Sequence, residues 1–422
     1  MAKILYKNIS ELVTNTGVVK KQGVGVVEED LGIIYDAALL WDEKKGIFWL
    51  GKNSGIPKSL AKGAKSVSLK GKILCPALVD CHTHLVFAGD RHQELAKRLS
   101  GATYQEIAAA GGGIVTTVSA TRAASEKDLL AVARERVKTA ISLGVGILEI
   151  KSGYGLDLET ELKQLKVVAK LKKEFKSKIT ILATFMGAHA FPKELKTPAD
   201  RNSYVDNIVD NMLPRVAKLK LADTCDVFFD EGYFDYAQSK KILTTAKKLG
   251  LKIKLHADEL ADTGGAALAA ELGALSADHL LKANDHGLAA MAKAGVVAVL
   301  LPTTALYLQI PYASVEKMRK AKVCMALSTD FNPGSSPTQH LPFAMSLACF
   351  AMGMTMAEAF AATTFGGAKA VGLQKDEGFL AIGKKPRMSI FNFNSYHALI
   401  AHFAHPNPLG LDTKSNHVVR YL

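Results

Sequence analysis

From about residue 76 to about residue 375, short apolar runs rich in Val, Ile, Leu and Phe alternate with longer stretches whose apolar residues recur at helical spacing. A short apolar run bounded by turn formers reads as a buried strand, and a recurrence near 3.6 residues reads as an amphipathic helix. Strands are predicted at 78–84, 147–151, 179–186, 225–229, 251–255, 275–278, 296–301 and 323–328. A ninth stretch, IVTTVSATRAAS, is rich in β-branched residues but runs straight into EKDLLAVARERVKTAISLG, whose apolar spacing is helical. It is therefore assigned to a glycine-rich loop (Gly111, Gly112, Gly113) and a helix start. Eight strands with intervening helices predict an α/β fold, a TIM-like (β/α)8 barrel over 76–375.

The flanks have a different pattern. ALLWDEKKGIFWLG places two apolar runs around a polar turn and reads as a hairpin. GFLAIGKKPRMSIFNF, residues 378–393, reads as another short strand pair around Gly-Lys-Lys. Strand-rich ends on either side of one barrel predict a small β-sandwich domain built from both termini, residues 1–75 plus 376–422.

Composition narrows the class. Hydrophobic residues make up 48% and charged residues 22%, the balance of a globular chain. The opening MAKILYKNISELV has Lys and Glu where a signal peptide needs its apolar core, and no apolar run is long enough to span a bilayer. A mature, cytoplasmic protein without membrane contact is expected. Five cysteines (Cys75, Cys81, Cys225, Cys324, Cys349) lie far apart without CxxC spacing, which excludes a disulfide framework or a thiolate zinc cluster. The net charge of +13 points to nucleic acid, an acidic membrane or an anionic small molecule. Lysines are scattered along helical stretches such as LKQLKVVAKLKKEFKSK without aromatic interleaving, so a solvated surface is expected and nucleic acid is not.

Five of the twelve histidines fall at or just past predicted strand ends: His82, His84, His189, His256 and His279. In His82-Thr83-His84 the two-residue period of a strand turns both imidazoles to one face, and at the C-terminal mouth of a barrel that face looks into the active site. Asp330 follows the last strand. Three imidazoles with a carboxylate suit Zn²⁺ or Fe²⁺ and leave a position open for water. Such an ion lowers the pKa of bound water toward 7, and the hydroxide it supplies needs a proton carrier. Glu259, three residues after His256, is placed for that work, an ordinary solvated glutamate being the plainer alternative. His279 is either a polariser of the substrate carbonyl or a core histidine.

PALVDCHTH, LHADE, SADH and STDFNPGSSP together resemble the metal-dependent amidohydrolase superfamily. FAGDRHQELAKRLSGATYQEIAAAGGGIVTTVSATRAAS, KSGYGLD and TFMGAHAFP are similar to the imidazolonepropionase family within it, over roughly residues 65–375. The resemblance implies hydrolysis of 4-imidazolone-5-propanoate to N-formimidoyl-L-glutamate in histidine degradation, with a hydroxide on one zinc or iron ion (Fe²⁺ or Fe³⁺) per subunit attacking the ring carbonyl. It implies His82, His84, His256 and Asp330 as metal ligands, with Glu259, His279 and Asp330 as the catalytic groups. Arg91, Tyr154, His189, Glu259, Asn332, Gly334 and Ser335 match substrate-binding positions, and Tyr104 adds a hydroxyl near the substrate carboxylate. An arginine at 91 suits that anion because a guanidinium grips a carboxylate through two parallel bonds. A homodimer is implied by the family alone.

Two other readings remain open at this point. A guanine- or cytosine-type aminohydrolase would use the same HTH, HADE, SADH and STD segments, and a non-catalytic barrel would serve as a scaffold. The chain also departs from the family at Pro76-Ala77, at Lys385-Pro386-Arg387 and in its tail, where His397, His402 and His405 are read as surface residues because no acidic or thiolate partner lies at ligand spacing.

Overall fold

The computed structural model describes residues 3–42, 44–101, 106 and 112–405. Tyr104 and Gly111, the first glycine of the GGG run, lie outside the described residues.

Six strands of the two flanks form one hydrogen-bonded sheet: β1 (Ile4–Leu12), β2 (Ile34–Asp42), β3 (Gly46–Lys52), β4 (Lys65–Ser68), β5 (Ile73–Pro76) and, from the far end of the chain, β14 (Met388–Phe391). The expected hairpin is β2–β3, antiparallel from Ala37↔Lys52 to Asp42↔Gly46. β1 is shared along its edge, its first residues pairing with β4 and its last with β5. One sheet cluster gathers Ile4, Tyr6, Ile9, Leu39, Trp41, Leu74 and Met388, and a second gathers Leu5, Ala38 and Leu40. The strand pair expected at 378–393 is a single strand, β14, paired antiparallel with β5. The preceding segment docks instead through isolated backbone bonds, from Leu380 N to Thr14 O at 2.8 Å and from Gly383 N to Ile47 O at 2.7 Å. Gly46 makes room for it: φ is +75°, and a Cβ there would stand 2.2 Å from Lys384 O.

The remaining eight strands form a parallel sheet in sequence order, β6 (Leu78–Asp80), β7 (Val145–Lys151), β8 (Thr180–Ala188), β9 (Thr224–Phe229), β10 (Lys252–Ala257), β11 (Ser276–His279), β12 (Val297–Leu300) and β13 (Met325–Leu327). Each expected strand is present with shifted ends. β6 is shorter than expected, but pairing continues past it through bonds from His84 N to Phe331 O and from Lys151 N to Thr83 O, both 2.9 Å.

Helices wrap the barrel by burying one stripe each. Leu158–Phe175 turns Leu165, Val168, Leu171 and Phe175 inward while Lys166, Lys170 and Lys173 stay exposed, which is the solvated lysine face expected from the sequence. The stretch IVTTVSATRAAS is a helix of its own, Ile114–Ala123, rather than the start of the next. Ser125 ends the overlap by accepting Asp128 N at 3.1 Å and capping Glu126–Ser142.

The barrel closes between β13 and β6 differently from elsewhere. An isolated bridge joins Thr83 to Phe331, and buried Asp80 accepts Thr329 N at 3.0 Å, the Thr329 hydroxyl at 2.7 Å and the Ser328 hydroxyl. The Ser328 hydroxyl oxygen also accepts His82 N at 2.8 Å. Among the described residues no helix is long and apolar enough to cross a membrane.

Candidate active site

At the C-terminal mouth, His82, His84 and His256 each aim a ligand atom into a space where all three lie within 4.8 Å of one another. All three side chains are buried. Asp330 Oδ1 stands 3.4 Å from His82 Nε2 and 3.5 Å from His84 Nε2, while its Oδ2 is held by the Thr304 hydroxyl at 2.7 Å. Burial holds the His82 and His84 imidazoles well below their usual range, helped by Lys151 at His82 and by His189 at His84. They are therefore neutral, the form that offers a lone pair to a metal. Burial pushes the Asp330 carboxyl up to about 7, against the Thr304 hydrogen bond. His82 Nε2, which faces Asp330, is buried without a hydrogen-bond partner, and a coordinated cation would resolve it. The donor set fits a divalent transition metal.

Carboxylates set two of these rings. His82 Nδ1 lies 2.6 Å from Asp278 Oδ2, and His256 Nδ1 lies 3.0 Å from Asp226 Oδ1. Burial works to raise Asp226, yet His256 and Lys151 hold it well below the usual carboxylate range. Asp226, Asp278, Glu149, Lys151 and Lys254 sit on the barrel strands β7, β9, β10 and β11. Sequence reasoning missed all five, although a charge inside a strand buried on both faces is itself the signal.

Glu259 and His279 face each other, with His279 Nδ1 3.5 Å from Glu259 Oε1. The Glu259 backbone is fixed by Asp230, whose Oδ2 accepts the N–H groups of Glu259 and Leu260 at 2.6 and 2.9 Å. Burial, then the negative charges of Asp330 and Asp230, push Glu259 well above the usual carboxylate range. His279, Leu280 and Asp330 adopt left-handed backbone at φ 78°, 60° and 50°. Strain of this kind at side-chain-bearing residues clusters at functional sites.

Tyr154 and His189 complete one wall. The His189 ring stacks on His84 at 4.7 Å between centroids, and its Nδ1 lies 3.0 Å from Gly153 O. Gly153 has to be glycine, since φ is +114° and a Cβ would meet His189 Nδ1 at 2.9 Å. Buried Glu161 organises this loop by accepting the N–H groups of Gly153, Gly155 and Leu156 at 3.0, 2.8 and 2.9 Å.

These groups line a cavity of about 470 Å³ together with Arg91, Arg98, Asn332, Gly334 and Ser335. Glu94 grips Arg91 through Nε and Nη2, both 2.8 Å from Oε2. Arg91 also presses on Gly334, where a Cβ would come within 1.9 Å of its Nη1. Asn332 is committed to its own loop: Oδ1 accepts Gly334 N and Ser335 N at 2.8 Å each, and Nδ2 donates to Asp330 O at 2.7 Å. Arg98, which the sequence reading did not single out, sits 4.9 Å above the Tyr307 ring. The tail histidines stand apart: His397 lies 3.4 Å from Glu28, and His402 stacks on Phe393.

Residues 73–413 match the amidohydrolase family. The imidazolonepropionase of Shouchella clausii is 46% identical over 408 residues, covering 96% of this chain and 90% of that protein. That of Alkaliphilus metalliredigens is 43% identical over 407 residues, covering 96% of this chain and 94% of that one. Among solved structures, an N-isopropylammelide isopropylaminohydrolase from Burkholderia multivorans shares the fold with a TM-score of 0.64 at 18% identity, covering 95% of each chain. An atrazine chlorohydrolase from Arthrobacter aurescens does so with a TM-score of 0.65 at 14% identity, covering 94% of this chain and 91% of that one. The chain belongs to the amidohydrolase family and, within it, to the imidazolonepropionases.

Proposed function

We propose that the chain hydrolyses 4-imidazolone-5-propanoate to N-formimidoyl-L-glutamate, opening a cyclic amide in histidine degradation. The observation that carries this reading is the meeting, in one cavity, of a buried imidazole cluster with Asp330, a buried acid-base pair and two guanidinium groups. His82, His84, His256 and Asp330 would hold one zinc or iron ion per subunit. A bound ion supplies a water acidic enough to attack at neutral pH and polarises the ring carbonyl.

The side chains divide the remaining work. Glu259 accepts the proton of the attacking water and holds it until the ring nitrogen departs. His279 turns toward the carbonyl oxygen, where negative charge grows as the C–O bond forms. The C–N bond then breaks and Glu259 returns the proton to the leaving nitrogen. Tyr154 and His189 pack the ring, and Gly334 and Ser335 close the cavity beside it. Arg91, steadied by Glu94, and Arg98 offer the positive charge that the propanoate needs. On this reading the sheet domain comprises 1–75 and 376–422, the barrel comprises 76–375, and the enzyme is a cytoplasmic homodimer acting on an anionic small molecule.

The test is to supply enzymatically generated imidazolone propanoate and follow its ultraviolet absorbance while assaying ammonia. Loss of absorbance without ammonia is the expected result. Ammonia release would favour the aminohydrolase reading instead.

A further inference from the structure

Beneath the imidazoles lies a layer of three carboxylates, Glu149, Asp226 and Asp278, and two ammonium groups, Lys151 and Lys254, none more than 1% exposed. Lys151 Nζ stands 2.6 Å from Asp226 Oδ2, 2.8 Å from Glu149 Oε1 and 3.8 Å from Asp278 Oδ2. Lys254 Nζ donates to Cys81 O at 2.6 Å and stands 3.3 Å from Asp278 Oδ2. Asp226 uses its second oxygen on His256, accepting the backbone N–H at 3.1 Å and facing Nδ1 at 3.0 Å. Asp278 takes the Ser276 hydroxyl on Oδ1 and faces His82 Nδ1 with Oδ2.

An imidazole whose Nδ1–H is bound by a carboxylate has its lone pair on Nε2 and its ring rotation fixed. Two of the three clustered imidazoles are set this way, and one ammonium group faces both of the carboxylates that set them. Buried ion pairs of this kind are poor stabilisers compared with apolar side chains of the same size, so their energetic case as mere fold elements is weak. We infer that Lys151 is a positioning residue of the metal site, holding Asp226 and Asp278 in the rotations that present Nε2 of His256 and His82 to the ion. This rests on the proposed reading of those histidines as ligands.

Co²⁺ alone, titrated into metal-stripped full-length protein and followed by its visible absorption, reads ligand geometry without any turnover. Lys151→Met should keep the near-ultraviolet circular dichroism of the parent, bind Co²⁺ about 10- to 100-fold more weakly, the range seen when a partner of a ligand is removed, and give a shifted absorption band. Lys151→Met with Glu149→Gln removes one charge of each sign, guarding against a variant that fails only from charge imbalance, and should show the same weakened binding. Affinity within about threefold of the parent with an unchanged band, in a folded variant, would overturn the role of Lys151. So would loss of the folded spectrum in both variants, which would make it a folding residue. A parent that binds no Co²⁺ would overturn the metal reading itself and this inference with it.

Discussion

Arg91 and Arg98 share one wall of the cavity, yet among the described residues only Arg91 has its charge answered by a carboxylate. Glu94 gives Oε2 to Arg91 and Oε1 to Gly113 N at 2.9 Å, both aimed away from Arg98 one helical turn on. Among the described residues Arg98 makes no ion pair, and the Tyr307 face is its one charge-stabilising contact. A cation left uncompensated beside a cavity favours an anion there. Arg98→Met should therefore raise KM for the acid-bearing substrate about tenfold to a hundredfold, the equivalent of a charged hydrogen bond worth about 1.5–3 kcal/mol, with kcat changed far less. Steady-state kinetics check this, and an unchanged KM would leave the anion to Arg91 alone. The sequence makes Arg91 visible as a charge after the His-Thr-His strand, but nothing in it tells which guanidinium is already neutralised. Asp226, Asp278 and Lys151 were overlooked for another reason: they alternate with apolar residues, and only the fold shows that this polar side faces the barrel interior rather than solvent.

At the scale of elements, the site is a set of loops each fixed by one acid from a neighbouring segment. Asp230 fixes the loop after β10, and Asp258 accepts Gly265 N and Ala266 N, both at 2.8 Å, at the start of the helix that follows. Glu161 gathers the loop after β7. Glu161→Ala would strand three N–H groups, each costing about 1–3 kcal/mol when buried without a partner. Chemical denaturation should show a lower midpoint, and turnover should fall because Tyr154 and His189 lose their support, while metal content measured by elemental analysis stays that of the parent. Barrel strands such as β12 and β13 were legible because burial on both faces makes each a short apolar run. The segment before β14 was misread because its apolar residues, Leu380 among them, anchor into the sheet cluster without any ladder.

The two sheets are joined by a few specific clasps. Arg387, where the family pattern differs, donates to Lys176 O at 2.8 Å and Thr180 Oγ1 at 3.2 Å, while its N–H binds Glu377 Oε2 at 2.8 Å. Burial pushes the Glu377 carboxyl up to about 7, more than the Arg387 contacts pull it down. The folded state thus holds this proton more tightly than the unfolded chain does. Its contribution is fully present below the ordinary value near 4.5 and is lost as pH rises through about 7. Glu377→Gln should remove that loss, so the melting temperature of the variant should fall less than that of the parent between pH 5 and pH 8. Equal falls in the two proteins, read by thermal denaturation, would deny Glu377 this role.

The closure of the barrel sets an order on assembly. Asp80 and Ser328 are 248 residues apart in sequence, so the joint between β6 and β13 carries nearly the whole barrel in its loop and is costly to close by chance encounter. His82 and His84 lie on one side of that joint and Asp330 on the other. A chain with all seven strand ladders of the barrel formed but this joint still open would thus look native over most of its length and still keep these donors apart. A site that draws on donors from both sides of the joint is complete only once that joint is made.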